Sequence, residues 1–227
     1  MTRGRPIKMV FVDNIGDTMA KKDFMTVKES SALVLLSGGM DSVTLLYYVR
    51  DVLNYSKVEV LLFDYGQRHK IELEYARALA VKLGIPSRTI CVDLTQFGGS
   101  SLTEDDESLT VVTPARNSIF LSLATAYAET RGIPDIFFGP NAEDFTDFPD
   151  CREEFIEAMS QALSLGNNIR GVYAPFVNKS KEDIVKIGRA LGVDFGGTWS
   201  CYHPTEESKP CGKCHACELR EEALNTD

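Results

Sequence analysis

The sequence contains no run of about 18 or more apolar residues, the length that an α-helix needs to cross a hydrocarbon core. No membrane partner is expected. It is also short of positive charge, with 24 Lys and Arg against 33 Asp and Glu and a net charge of -9. Gripping a nucleic acid backbone takes clustered cations that neutralise phosphates and release counterions. Direct nucleic acid binding is therefore not expected, and a small molecule is the better substrate. The stretch 1–31 mixes Arg, Lys, Asp and Glu where a signal peptide needs an apolar core. A cytoplasmic location is expected, and no internal repeat is found.

The 227 residues, 44% hydrophobic and 25% charged, suit one globular domain with a sizeable core. Apolar runs at 32–36, 58–63, 88–92, 135–138 and 171–174 read as strands. Amphipathic stretches at 42–52, 70–83, 118–130, 153–163 and 181–191 read as helices. Almost continuously apolar strands separated by helices imply a parallel sheet covered on both faces. The expected fold is α/β, a doubly wound, mainly parallel five-stranded sheet over 31–195, with its ligand site at the carboxyl ends of the strands. Residues 1–30 form an extension without strong periodicity and are expected to be flexible. The polar stretch 95–113 is longer than this architecture needs, and reads either as a mobile binding loop or as a solvated loop with no role.

The first apolar run leads into Ser37-Gly38-Gly39-Met40-Asp41-Ser42 and then a helix. Adjacent glycines let the backbone approach a pyrophosphate, and the helix start offers unpaired N–H groups and its positive dipole end. Ser37 and Ser42 add hydroxyl donors. Asp41 would repel a phosphate unless it holds Mg2+ or caps the helix.

Four of the six cysteines, Cys201, Cys211, Cys214 and Cys217, follow the pattern Cys-x9-Cys-x2-Cys-x2-Cys. In a reducing compartment such clustering favours metal over disulfides. Four thiolates suit tetrahedral Zn2+, and a set without an open position makes the ion structural. An iron-sulfur cluster is the competing metal. The segment 196–227 is thus expected to be a small zinc-binding appendage packed on the main domain, with His203 and His215 facing solvent.

The Ser-Gly-Gly-x-Asp-Ser string resembles the phosphate loop of the ATP pyrophosphatase superfamily, whose members split ATP between its α and β phosphates. Further motifs narrow the resemblance: Asp64-Tyr65-Gly66-Gln67-Arg68-His69, Pro114-Ala115-Arg116-Asn117, Asn141-Ala142-Glu143-Asp144 and Pro149-Asp150-Cys151-Arg152. With the four cysteines they span most of the chain, which resembles the 7-cyano-7-deazaguanine synthase (QueC) family. The resemblance implies an adenine nucleotide alpha hydrolase-like fold, a homodimer, and a ligase of queuosine and deazapurine biosynthesis. The family's reaction turns 7-carboxy-7-deazaguanine and ammonia into the 7-cyano base (preQ0) with two ATP, through an acyl adenylate, an amide and a second adenylation.

Carried over by this resemblance, ATP contacts fall to Leu36, Ser37, Gly38, Gly39, Met40, Asp41, Ser42, Val43, Thr44, Leu45 and Leu46. Asp41, Arg116 and Lys181 become the catalytic candidates. Arg116 neutralises the substrate carboxylate or the α-phosphate, or else forms a plain helix-entry salt bridge. Lys181 binds pyrophosphate or lies at the surface. Substrate contacts fall to Arg116, Asn117, Asp144, Asp150 and Arg152, with Asn117 alternatively capping its helix and the acids alternatively solvated. Cys151 reads as a packing or contact residue. Where the family has Ser-Gly-Tyr before its Pro-Asp-Cys-Arg, this chain has Thr146-Asp147-Phe148, a departure that bears on the exact substrate. Two other readings remain: a related ATP pyrophosphatase acting on tRNA or another acid, and a nucleotide- or deazapurine-binding protein working with a partner.

Overall fold

A computed structural model describes residues 30–226. The expected extension over 1–30 lies, Ser30 apart, outside the described residues. Five strands form one sheet, β1 (Ser31–Leu35), β2 (Lys57–Asp64), β3 (Ser87–Cys91), β4 (Asp135–Phe137) and β5 (Gly171–Tyr173), in the order β3-β2-β1-β4-β5. Every pairing is parallel, with Val34 opposite Val60 on one side and Phe137 on the other. The sheet and its five strands are those expected from the apolar runs.

Successive strand residues face opposite layers, so an all-apolar strand feeds two cores. Ala32, Val34, Leu36, Val60 and Leu62 pack with α1 (Met40–Tyr47), α2 (Ile71–Leu83) and α5 (Lys181–Ala190). Leu33, Leu61, Phe63, Ile136 and Val172 pack with α3 (Arg116–Arg131) and α4 (Glu153–Gly166). Helices on both faces make the fold doubly wound. Strand order reverses between β1 and β4, and the carboxyl ends of these strands open the crevice where ligands of such sheets bind.

The first helix differs in form from expectation. It starts at Met40 rather than 42, and from Tyr48 to Val52 it widens into a turn with five-residue spacing, Leu53 N–H donating to the Tyr48 carbonyl at 3.0 Å. The stretch 95–113 is fastened rather than loose. Ser100, Ser101, Leu102 and Thr113 are buried, Arg68 N–H donates to the Leu102 carbonyl at 2.8 Å, and Ser101 N–H donates to the Thr110 carbonyl at 2.9 Å.

A sixth helix, α6 (His215–Asn225), is not legible in the cysteine-rich tail. Ala223 packs between Met40 of α1 and Val185 of α5, and the Arg189 guanidinium donates to the carbonyls of Leu224 and Thr226, both at 2.6 Å. No helix among the described residues is long and apolar enough to cross a membrane.

Candidate active site

The loop after β1 is shaped by its glycines. Gly38 sits at φ +93°, and a Cβ there would lie 2.3 Å from the Glu72 carbonyl oxygen on α2. Only glycine fits so close a backbone approach at that angle. Ser42 ties the loop together: its Oγ donates to the Gly39 carbonyl at 3.1 Å, accepts from Ser37 N–H at 3.2 Å and lies 3.0 Å from Ser37 Oγ. Gly39 precedes α1 with no side-chain cap, so Asp41 does not cap the helix and that alternative falls. Val43, Thr44, Leu45 and Leu46, expected among the ATP contacts, have side chains buried in the core, as does Leu36. They brace the loop from beneath.

Asp41 points across the crevice instead. Its Oδ2 accepts from Lys181 Nζ at 3.2 Å and from Asn141 Nδ2 at 3.1 Å, while its Oδ1 is buried with no protein partner. A buried carboxylate oxygen without a donor is costly unless something else satisfies it, and a divalent cation is such a partner. Burial pulls the Lys181 ammonium down, but the carboxylates of Asp41 and Asp144 outweigh it and hold it above its usual range. Lys181 is therefore a positive charge held against Asp41 at the start of α1, and not a surface lysine.

Asn141 and Asp144 share a reciprocal cap, Asn141 N–H donating to Asp144 Oδ2 at 3.0 Å and Glu143 N–H to Asn141 Oδ1 at 3.0 Å. Burial raises the Asp144 carboxyl above its usual range. Glu143 accepts from the Lys181 backbone N–H at 2.9 Å, locking this turn to the start of α5.

Arg116 opens α3 behind Ala115, which adopts φ +53°. Its Nη1 lies 3.5 Å from Tyr65 Oη, and its guanidinium stands 5.8 Å from the Tyr65 ring centre. Among the described residues it makes no ion pair, so the helix-entry salt bridge is absent there. Burial lowers its pKa, but the phenols of Tyr65 and Tyr202 outweigh that and leave it raised. A guanidinium left without a carboxylate in a crevice is a ready receiver for an anion.

Asn117 is a candidate cap for its helix by sequence, and here the structure differs. Asp150, 33 residues later, accepts from the Asn117 N–H at 3.1 Å, while the Asn117 amide donates to the Asp150 carbonyl and to Cys151 Sγ, both at 3.4 Å. Asp150 is thus engaged with α3 through one oxygen. Burial pushes the Cys151 thiol up to about 12, which keeps it protonated and in its packing role. Arg152 is exposed, and its Nε donates to the Phe145 carbonyl at 3.0 Å. Among the described residues its side-chain bond is to Phe145 and not to Asp41, Lys181, Asp144 or Arg116.

The motif 64–69 contributes groups whose roles the sequence does not reveal. Gln67 is buried: its Oε1 accepts from Tyr65 N–H at 2.8 Å and its Nε2 donates to Glu72 Oε1 at 3.0 Å. His69 Nε2 lies 3.5 Å from Glu72 Oε2, and its ring meets that of Tyr202 edge-on at 5.5 Å. The motif string points to this corner of the crevice, but Glu72 itself carries no signal beyond being an acid in a helix.

The tail closes the site. Trp199 N–H donates to the Gly38 carbonyl at 2.9 Å, and its indole N–H to the Cys201 carbonyl at 2.8 Å. One residue later Tyr202 enters the crevice, where burial raises its phenol pKa and the charges of Arg116, Asp144, Lys181 and Glu72 act on it. Sγ atoms of Cys201, Cys211, Cys214 and Cys217 all lie within 4.8 Å of one another, a set that can hold a metal ion. Cys214 and Cys217 flank the start of α6, and Gly212 takes φ +70° to turn the chain between the ligands. His215 is exposed, as expected, but His203 is half-buried with a buried, unpartnered Nδ1.

An all-parallel five-stranded sheet with a Gly-Gly turn leading into α1 at its switch point defines an adenine nucleotide alpha hydrolase-like fold. The same fold appears in the tRNA thiolase NcsA from Methanococcus maripaludis, solved with its 4Fe-4S cluster, at a TM-score of 0.54 over 87% of this chain and 73% of that one, with 11% identity. Sequence narrows the class: the chain belongs to the QueC family, whose model, described as "Queuosine biosynthesis protein QueC", matches residues 31–227. A protein of Magnetococcus marinus named 7-cyano-7-deazaguanine synthase is 44% identical, over 84% of this chain and 90% of its own length. One of the same name from Thermoplasma acidophilum is 43% identical, over 86% and 87%.

Proposed function

We propose that the chain catalyses the ATP-dependent conversion of 7-carboxy-7-deazaguanine and ammonia to 7-cyano-7-deazaguanine. The observation that carries this is Arg116, a guanidinium in the crevice with no carboxylate paired to it among the described residues, close enough to Glu72 and Asp144 for its charge to act on both. Neither a carboxylate nor an amide oxygen is a usable leaving group, whereas AMP is, so each oxygen must be adenylated before it departs. Catalysis is then positioning together with stabilisation of charge on phosphorus.

The loop N–H groups and the start of α1 receive the phosphates, and Lys181 draws charge towards the departing pyrophosphate. Asp41 is the residue that would hold Mg2+, its unpartnered Oδ1 fitting that part; when bound, the ion offsets phosphate charge and polarises the α-phosphate. Arg116 takes the substrate carboxylate. Asp144 and Asn117 accept from and donate to the base, while Asp150 and Arg152 frame the loop that carries Thr146, Asp147 and Phe148.

For the tail, Zn2+ is the ion proposed, in a structural role. Separations of 3.5 Å for Cys214–Cys217 and 4.0 Å for Cys211–Cys217 and Cys201–Cys214 bracket the edge of about 3.8 Å expected for four sulfurs around one ion at about 2.3 Å. A cube of four irons would spread its thiolates more widely. Four thiolates leave no place for water, so this ion takes no part in the chemistry.

Incubation with 7-carboxy-7-deazaguanine, ammonium, ATP and Mg2+, followed by mass spectrometry, tests the reading. The amide and the nitrile are expected, with one AMP for each activation. AMP formed only with a different acid would overturn the substrate, and no AMP with any acid would overturn the adenylation.

A further inference from the structure

We propose that Glu72 is the base that removes protons from nitrogen in the two steps that follow adenylation, and this rests on the reaction proposed above. Its carboxyl group is placed by two neighbours from the loop between β2 and α2. Gln67 Nε2 donates to Oε1 at 3.0 Å, and His69 Nε2 lies 3.5 Å from Oε2. Its own backbone carbonyl sits where a Cβ on Gly38 would collide with it, so Glu72 lies directly beside the phosphate loop. The Arg116 guanidinium acts on it from α3, and the charge of Glu72 in turn acts on the phenols of Tyr65 and Tyr202. Glu72 therefore lies beside the Gly38 loop and within reach of the Arg116 charge, and the reaction proposed above puts the adenylated carbon near those two groups.

The chemistry needs such a group. When ammonia attacks the acyl adenylate, a C–N bond forms and the nitrogen becomes positively charged. One proton must leave before the C–O bond to AMP breaks and takes its electron pair with AMP, giving the amide. Adenylation of the amide oxygen leaves C(=NH2+)–O–AMP, which loses one proton to become a neutral O-adenylated imidate, C(=NH)–O–AMP. Removal of the N–H proton turns that electron pair into the third C–N bond, and the C–O bond again breaks towards AMP, giving the nitrile. One proton leaves nitrogen in amide formation and two in nitrile formation, and no electrons pass between redox partners in either.

The other ionisable groups nearby are unsuited. Burial holds the His69 imidazole down to about 3, with Arg116, His203 and Arg68 adding to the effect, so it stays neutral. Lys181 and Arg116 keep their protons. The Tyr65 and Tyr202 phenols are raised by burial. Asp144 is raised by burial too, but its Oδ2 already accepts from Asn141 N–H and the charge of Lys181 opposes the shift. For Glu72, burial pushes the carboxyl up to about 7, against the opposing hydrogen bond from Gln67 and the charge of Arg116. A carboxylate poised there accepts a proton readily and returns it to solvent.

The test separates adenylation from the nitrogen steps. ATP–pyrophosphate exchange with 7-carboxy-7-deazaguanine, without ammonium, reads the first. Amide formation from the acid with ammonium, and nitrile formation from 7-amido-7-deazaguanine, read the others. Glu72→Gln is expected to retain exchange while losing roughly 10²–10⁴-fold in both nitrogen steps, the usual worth of a positioned base. The rising limb of the pH profile near 7 should vanish with it. Nitrile formation at the wild-type rate would overturn the proposal, and so would equal loss of exchange in a folded variant. Should Glu72→Gln not fold, Glu72→Asp decides: slower nitrogen steps with exchange retained support the base, and equal slowing of all three overturns it. Wild-type protein that fails to exchange pyrophosphate with this acid would sink the proposed reaction, an outcome distinct from either.

Discussion

The backbone N–H of Trp199 donates to the carbonyl of Gly38 at 2.9 Å, joining the cysteine tail to the Gly38-Gly39 loop after β1. The tail and the site are therefore coupled, although no cysteine touches the reacting groups. Stripping the metal with a chelator should unfold the tail, release this bond and weaken ATP binding together with metal loss. Trp199 is the sole tryptophan and is buried, so its emission should shift to the red as the metal leaves. ATP titration of the stripped protein checks the coupling; unchanged affinity would refute it.

The two glycines of the loop should separate stability from binding. Gly38→Ala places a Cβ 2.3 Å from the Glu72 carbonyl at φ +93°, and should cost at least about 2 kcal/mol of stability. Gly39 has φ -74°, and a Cβ there meets Ser37 Oγ at 3.4 Å and the Trp199 carbonyl at 3.5 Å, which is ordinary contact. Gly39→Ala should fold normally yet raise the KM for ATP, because its methyl group stands where phosphate must approach. Denaturant titration and steady-state kinetics on both variants check this.

Asp41→Asn keeps the shape of the side chain and its neighbours Asn141 and Lys181 but removes the charge. AMP formation should fall by roughly 10²–10³-fold, the scale of one preorganised electrostatic contact, with little change in the melting temperature. Full activity across a Mg2+ titration would remove Asp41 from metal binding.

Glu72 should also leave a mark on stability. Its carboxyl is raised from 4.5 to about 7 in the folded chain, so the folded state holds a proton that the unfolded state gives up between those values. Its contribution is fully present below 4.5 and is lost as pH rises through 7. Glu72→Gln should consequently stabilise the fold more at pH 8 than at pH 5, by up to about 3 kcal/mol, each tenfold change in proton affinity being worth about 1.4 kcal/mol. Denaturant midpoints of both proteins at the two pH values measure it, and equal differences at both would contradict the raised carboxyl.

Local pattern carried the sheet. Apolar runs such as 58–63 are buried on both faces and leave no ambiguity, and Ser37–Ser42 and the cysteine spacing each report a short backbone geometry. What depends on distant partners was not legible. Asp41 has its contacts at positions 141 and 181, and the cap of α3 comes from Asp150 across 33 residues rather than from Asn117. Glu72 reads as one more surface acid on α2 until Gln67, His69 and Tyr202 are seen around it. The last helix was hidden because its buried positions are the small residues Ala216 and Ala223, which give little hydrophobic periodicity to read.

The bond between Trp199 and Gly38 has a consequence for synthesis as well. During translation β1 and its loop are made first, but the loop gains its last fastening only when residues more than 160 positions later have left the ribosome. A chain cut short before Trp199 would lack the four cysteines, Tyr202 and the Trp199 bond to Gly38 together, and so is expected to emerge unable to hold nucleotide rather than as a slower enzyme. Competence to engage ATP thereby becomes a report that the whole polypeptide has been delivered.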